Sequence, residues 1–226
     1  VGNKLVMEQS SHRVLGLQVD NRLSWQEHVH AKGGLLNSVY QRIGALRRIS
    51  YHVPAASLPA IASAIIASKI RYGIAMYGGI RLSETDPTTG VAKSLQIALN
   101  YAMRAATRSR LRDRIPIVDL VQRTGIQSFN RMSAEDNLRL VWQAVHEPNS
   151  PLTDILCNRR ESNNERASRS AARGDLQTVA RTSIGQKNFP EPAIRGWNVS
   201  TAEVREARSK AVAKQAIKRF AATLPL

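Results

Sequence analysis

Arg13-Val14-Leu15-Gly16-Leu17-Gln18-Val19-Asp20-Asn21-Arg22-Leu23-Ser24-Trp25-Gln26-Glu27-His28-Val29 is where the chain changes its hydrophobic period. Arg13–Asp20 is a mostly apolar run closed by Asp20-Asn21, and it reads as a strand. Upstream, Lys4–Glu8 reads as a second short strand, with Gln9-Ser10-Ser11 as the turn between them. Downstream, Ser24-Trp25-Gln26-Glu27 has the capping-box pattern, a Ser followed three residues later by Glu. Trp25, Val29, Lys32, Leu36, Val39, Ile43 and Leu46 then recur at alternating spacings of four and three, one stripe of a long helix. Lys32 is the exception in that stripe, and Gly33-Gly34 weakens the helix locally. A lone hairpin is marginal in water, so the two strands are expected to belong to a sheet whose other strands lie outside this chain.

Outward from this junction the pattern stays helical. His52-Val53-Pro54 breaks it, and Leu58–Tyr77 predicts a second helix, apolar on most sides and therefore central, ended by Gly78-Gly79. After a polar loop over Glu84–Gly90, a third helix is expected from Val91 to about Leu111. Ile115-Pro116 stops it, a short helix over Val118–Arg123 closes at Gly125, and another runs from Ser128 to His146. Pro148-Asn149-Ser150-Pro151 marks a boundary. Asn158–Gly174 has no large aliphatic residue to offset its ordering entropy, which predicts a mobile basic linker. Phe189-Pro190-Glu191-Pro192 reads as a stiff extended piece. Ser200-Thr201-Ala202-Glu203 is a second capping box, opening a last amphipathic helix through Val204, Ala207, Ala211, Ile217 and Phe220 with a supporting Glu206–Lys210 pair. The expected fold class is mainly α. Its parts are a β-hairpin over 1–23, a helical bundle over 24–147, a flexible basic linker over 148–193 and a helical tail over 194–226.

Charge is the strongest compositional signal. Lys plus Arg number 33 against 17 Asp plus Glu among 226 residues, a net charge of +16. Such a surface repels itself unless a polyanion neutralises it, and nucleic acid is the commonest such partner. An anionic membrane and a generic basic protein are the alternatives. Leu58–Ile80 approaches membrane-spanning length, but Lys69 and Arg71 sit inside it, so no membrane span is expected. The single cysteine, Cys157, excludes an intramolecular disulfide and a Cys-based zinc cluster. It fits an intracellular compartment, the nucleus included.

Catalytic patterns are scarce. No two Asp residues are adjacent. Glu135-Asp136, the only adjacent acidic pair, should point about 100° apart on a helix and read as a solvated face rather than a metal clamp. His28 and His30 have the wrong spacing for shared ligation, which leaves His28 a structural role. Gly90-Val91-Ala92-Lys93-Ser94 lacks the glycines of a phosphate loop. The positive chemistry lies in arginines. Arg42, Arg47 and Arg48 close one helix, favourably placed against its dipole. Arg104, Arg108 and Arg112 recur at i, i+4, i+8 on an expected helical face, beside Arg110 and Arg114. Arginine suits phosphate because its paired donors match phosphate geometry. A generally basic solvated surface is the plainer alternative.

The segment Arg13–Val29 resembles one found in non-LTR retrotransposon reverse transcriptases, through Leu15, Gly16, Asp20, Leu23, Trp25 and His28 in order and spacing. Further similar pieces follow at Ile70-Arg71-Tyr72-Gly73, Leu95–Arg104, Pro116–Leu120, Gly125–Ser128 and Gly196-Trp197-Asn198. Val199-Ser200 departs from the family's Leu-Pro. The resemblance implies a remnant of the palm hairpin followed by a thumb-like bundle, the C-terminal and non-catalytic part of an RNA-directed DNA polymerase. It implies binding of template–primer, an RNA–DNA hybrid or RNA, beside the palm and fingers of the parent. The family's metal-binding aspartates are absent from this sequence. Mg2+ is therefore expected only for the full-length polymerase, with no cofactor in this chain. A co-opted helical protein-interaction module and a non-functional retroelement remnant are the alternatives.

Overall fold

A computed structural model describes residues 9–86, 90–147, 149–156, 174–177 and 182–226. It begins with an antiparallel hairpin of β1 (Ser11–Val14) and β2 (Leu17–Asp20), with Ser11 opposite Asp20 and Val14 opposite Leu17. The strand expected over Arg13–Asp20 is thus folded back on itself. Its turn is Leu15-Gly16, where both residues take the positive φ (48° and 85°) that a two-residue hairpin turn requires. Lys4–Glu8 lies outside the described residues. The turn is tethered from below by the Tyr72 hydroxyl, which donates to the Leu15 carbonyl at 2.6 Å.

Asp20 makes the corner into the helices. Its Oδ1 accepts from the Arg22 and Ser24 amides at 3.1 and 2.9 Å, and its Oδ2 from the Trp25 amide at 2.8 Å and the Ser24 hydroxyl at 3.2 Å. Leu23 and Trp25 are held at φ +47° and +61° in this corner. The N-cap of α1 (Gln26–His30) is Trp25, not Ser24. The long helix expected from Ser24 is also broken. After α1 the chain turns through Gly33 at φ +81° before α2 (Leu35–Ile49) begins. The paired glycines do more than weaken the helix; they end it. The buried stripe is Trp25, Val29, Leu35, Val39, Ile43 and Leu46, with Leu35 replacing the expected Leu36.

The central apolar segment is helical from Leu58 to Arg71, as α3 (Leu58–Ala62), a π-helical turn (Ser63–Ala67) and α4 (Ser68–Arg71). The wider π turn departs from the i to i−4 ladder, and Arg42 on α2 donates to the Ile65 carbonyl at 2.8 Å. The helix stops at Tyr72-Gly73 rather than running to Tyr77, and α5 (Ile74–Tyr77) follows. Gly73 has φ +69°, and a Cβ there would sit 2.9 Å from Leu17 Cδ1, so this glycine lets the hairpin lie on the helices.

α6 (Gly90–Ala106) packs on α2, α3 and α7 (Ile117–Thr124), and Gly125 closes α7 at φ +66° as expected. α8 (Phe129–His146) joins two apolar interiors. Its first turn gives Phe129 and Met132 to the interior shared with α2, α3 and α6. The rest of α8 gives Leu138, Val141 and Trp142 to a second interior with Leu156, Leu176, Ile194, Trp197, Val204 and Ile217.

That second interior corrects several expectations. Within the expected linker over 148–193, the described residues include α9 (Thr153–Leu156), α10 (Ser183–Lys187) and the start of α11 (Glu191–Val199). Leu156 and Leu176 are buried, so these pieces pack instead of floating. Of the basic run Asn158–Gly174, all but Gly174 lies outside the described residues. Glu191-Pro192 opens a helix rather than continuing an extended piece, since proline is well tolerated in a first helical turn. The Ser200–Glu203 segment opens only α12 (Ala202–Arg205), and the last helix, α13 (Lys210–Thr223), starts at a Ser209 cap. Glu206 therefore does not share a helix with Lys210, which lies 3.6 Å from Glu147 instead. Trp25 ties the start of the bundle to the C-terminal helices, its Nε1 donating to Asn188 Oδ1 at 2.6 Å. The fold is mainly helical with one N-terminal hairpin, and among the described residues no helix is long and apolar enough to cross a membrane.

Candidate nucleic-acid interface

The arginines expected on one helical face are not on one helix. α6 ends at Ala106, Arg108 sits beyond it at φ +54°, and Arg112 lies in a 3-10 turn, Leu111–Asp113. The i, i+4, i+8 geometry is therefore lost after Arg104. The turn instead folds the run back toward the end of α2. Arg108 donates from Nε and Nη2 to the Ser50 carbonyl at 3.1 and 2.7 Å, and from Nη2 to the Val53 carbonyl at 2.7 Å. It ties the turn after α6 to the C-cap residue of α2 and to the loop beyond it.

This closure gathers arginines from two helices. Arg47, Arg104, Arg108 and Arg110 line a cleft of about 370 Å³ together with Ser50, Tyr51, Tyr101 and Leu111, and among the described residues no carboxylate lines it. Arg104 donates from Nη2 to the Ile115 carbonyl at 3.0 Å, while its buried Nε has no acceptor among the described residues. An unmet buried donor costs about 1–3 kcal/mol, more if charged. The Arg47 guanidinium lies 5.9 Å from the centre of the Tyr101 ring, which meets Tyr40 edge-on at 6.2 Å. Tyr51 is 78 % exposed. Arg48, Arg112 and Arg114 are exposed nearby in sequence, and among the described residues none of these arginines is ion-paired. Arg42 is drawn off by its bond to Ile65 and lies outside the lining of this cleft.

A periodic basic face exists elsewhere. Lys210, Lys214 and Lys218 recur at i, i+4, i+8 on α13 and are all exposed. A helix drawn from Ser200 along its apolar face does not single them out, because the helix that carries them begins only at Lys210. The spacing itself was visible. Lys214 and Lys218 border a second cleft of about 580 Å³ with Arg71 and Arg139.

Glu135 and Asp136 are not a solvated face. Both side chains are largely buried and converge on Arg71: Nε and Nη2 reach Asp136 at 2.8 Å and Nη2 reaches Glu135 at 2.9 Å, while Arg139 also pairs with Asp136. The long guanidinium bridges two carboxylates that diverge on their own helix. The bond to Asp136 lifts the Arg71 pKa, against its burial. These acids are committed to arginine, and among the described residues no three His, Cys, Asp or Glu gather as metal ligands.

His28 holds the hairpin to α1. Its Nδ1 accepts from the Gln18 amide at 3.3 Å, and its ring lies 5.4 Å from that of Tyr77. Burial lowers its pKa, helped by Lys69 and Arg13. Protonation would turn the acceptor into a donor facing a donor. A folded pKa below the unfolded value of 6.5 gives stability that is present above that value and lost as pH falls through it toward the folded pKa. The melting temperature should therefore fall on acidification below pH 6.5, and His28→Gln should flatten that part of the profile. An unchanged profile in the variant would assign the acid sensitivity to other groups.

No protein-family model, curated protein or solved structure matches this chain.

Proposed function

We propose that this chain binds the sugar–phosphate backbone of nucleic acid, as a thumb-like, non-catalytic C-terminal part of a reverse transcriptase of the non-LTR retrotransposon type. The observation that carries the reading is the cleft where α2 and α6 end, lined by Arg47, Arg104, Arg108 and Arg110 with no acid among them. Asp113 stands at the rim, its Oδ2 accepting from the Arg110 amide at 2.6 Å, and one acid leaves four gathered arginines under-neutralised, which disfavours the free protein and favours a polyanion. The net charge of +16 acts in the same direction. The resemblance of Arg13–Val29 and of the later segments supplies the family, and with it an RNA–DNA hybrid as the preferred duplex. Contacts to phosphate and sugar carry little sequence information, so binding should be weakly sequence-selective. The role assigned is binding, and any polymerisation belongs to a parent chain with its own aspartates and Mg2+.

The test is fluorescence anisotropy with a labelled RNA–DNA hybrid. Replacing Arg47, Arg48 and Arg110 together by Ser should weaken binding by about ten-fold or more at moderate salt. These side chains make few internal bonds, so the melting temperature should hold. Unchanged affinity in the triple variant would contradict the placement of the interface.

A second reading has one specific observation behind it. Leu15 is 86 % exposed and Val14 49 % exposed at the hairpin tip, an apolar edge that suits a protein partner. Tight binding of a protein that is indifferent to the arginine replacements would favour it.

A further inference from the structure

The cleft between the ends of α2 and α6 has features that a generic backbone contact does not need. Its arginines are pre-set. Arg108 is fixed by the Ser50 and Val53 carbonyls, Arg104 by the Ile115 carbonyl, and Arg47 lies over Tyr101. Guanidinium groups held this way lose little freedom when an anion arrives. The buried Arg104 Nε has no acceptor among the described residues. With Arg110, the cleft concentrates four cationic side chains in about 370 Å³, and among the described residues no carboxylate lines it, Asp113 standing at the rim against the Arg110 amide. A phosphodiester carries one charge, whereas a phosphate monoester carries close to two at neutral pH. The monoester gains about twice the Coulomb attraction at the same distance. Monoesters occur only at strand ends.

The aromatic part of the cleft points the same way. Tyr51 lines it and is 78 % exposed, an amphipathic ring open to stacking. Bases inside a duplex are already stacked on their neighbours, but a terminal unpaired base has a free face. Building on the nucleic-acid reading above, we propose that this cleft takes the phosphate monoester at the end of a nucleic-acid strand, with the terminal base stacked on Tyr51. Arg47 and Arg110, whose guanidinium groups donate no hydrogen bond among the described residues, hold the phosphate through charge-assisted hydrogen bonds, and Arg108 adds its remaining Nη1 group.

The experiment uses the whole chain and one short labelled single strand in three forms: 5′-phosphorylated, 3′-phosphorylated, and with hydroxyls at both ends. One phosphorylated form should bind about five-fold tighter than the hydroxyl form, and which one does so identifies the end that is held. Tyr51→Ala and Arg110→Gln should each collapse that ratio, with the melting temperature recorded alongside as a check on folding. Equal affinity for all three forms would overturn the strand-end site and leave the general nucleic-acid reading standing. A ratio that persists in both folded variants would overturn the placement in this cleft. Binding to none of the forms, nor to the hybrid duplex, would overturn both readings together.

Discussion

Asp20→Ala should lower the free energy of unfolding by about 4 kcal/mol, read as a shifted midpoint in urea with an unchanged slope. One buried carboxylate accepts the Arg22, Ser24 and Trp25 amides and the Ser24 hydroxyl. Bonds to a charged group are worth about 1.5–3 kcal/mol each, and those made at one carboxylate share part of that value. Removing it also releases a corner in which Leu23 and Trp25 are held at positive φ, a conformation that non-glycine residues resist. Asp20→Asn should cost nearly as much, because its amide nitrogen would replace one acceptor oxygen and face a backbone N–H as a second donor. Burial raises the Asp20 pKa, but the bonds from Ser24, Trp25 and Arg22 outweigh it and hold it below the usual 3.8. Its stabilisation is thus present above 3.8 and lost as pH falls through the folded value. A loss below about 1 kcal/mol in Asp20→Ala would mean that the corner is set by packing of Trp25 and Val29 alone.

Trp197→Ala should cost about 4 kcal/mol and should shift one cooperative transition rather than create a second. Trp197 is 2 % exposed, its Nε1 donates to the Gly174 carbonyl at 3.3 Å, and its ring meets His146 edge-on at 6.4 Å. It stands on α11, which packs along α8. Since α8 supplies both interiors, damage at Trp197 should reach the N-terminal one. The C-terminal carbonyls are pinned to the same helix: Asn130 donates to Pro225 at 3.0 Å and Arg131 to Leu224 at 3.2 Å. Two resolved transitions would show that the C-terminal helices fold apart from the bundle.

The helical class, the order of the helices and most of the buried stripe were legible because apolar spacing survives wherever a helix buries one face. Leu95, Ala98, Leu99, Ala102 and Met103 are all fully buried on α6, as their spacing predicts. Boundaries were lost wherever a tertiary bond overrode a local signal. Ser24 has the sequence of an N-cap, but Asp20 takes over its amide and Trp25 becomes the cap. Phe189–Pro192 reads as extended, yet the neighbouring Ala193, Ile194 and Trp197 give the segment an apolar face to bury as a helix. The site was half legible. Arginine enrichment around Arg104–Arg114 was plain, but the chain reversal at Arg108, which brings Arg47 and Tyr51 to the same cleft, rests on long-range bonds to Ser50 and Val53. The pairing of Arg71 with Glu135 and Asp136 across 64 and 65 residues is equally invisible to local pattern.

The most direct test of the account is the salt dependence of hybrid binding by the unaltered chain. Neutralising about four phosphates predicts that the association constant falls by roughly a hundred-fold between about 50 and 200 mM salt, linear on a double-logarithmic plot. An affinity independent of salt, or no binding at the lower concentration, would contradict an interface built from these arginines.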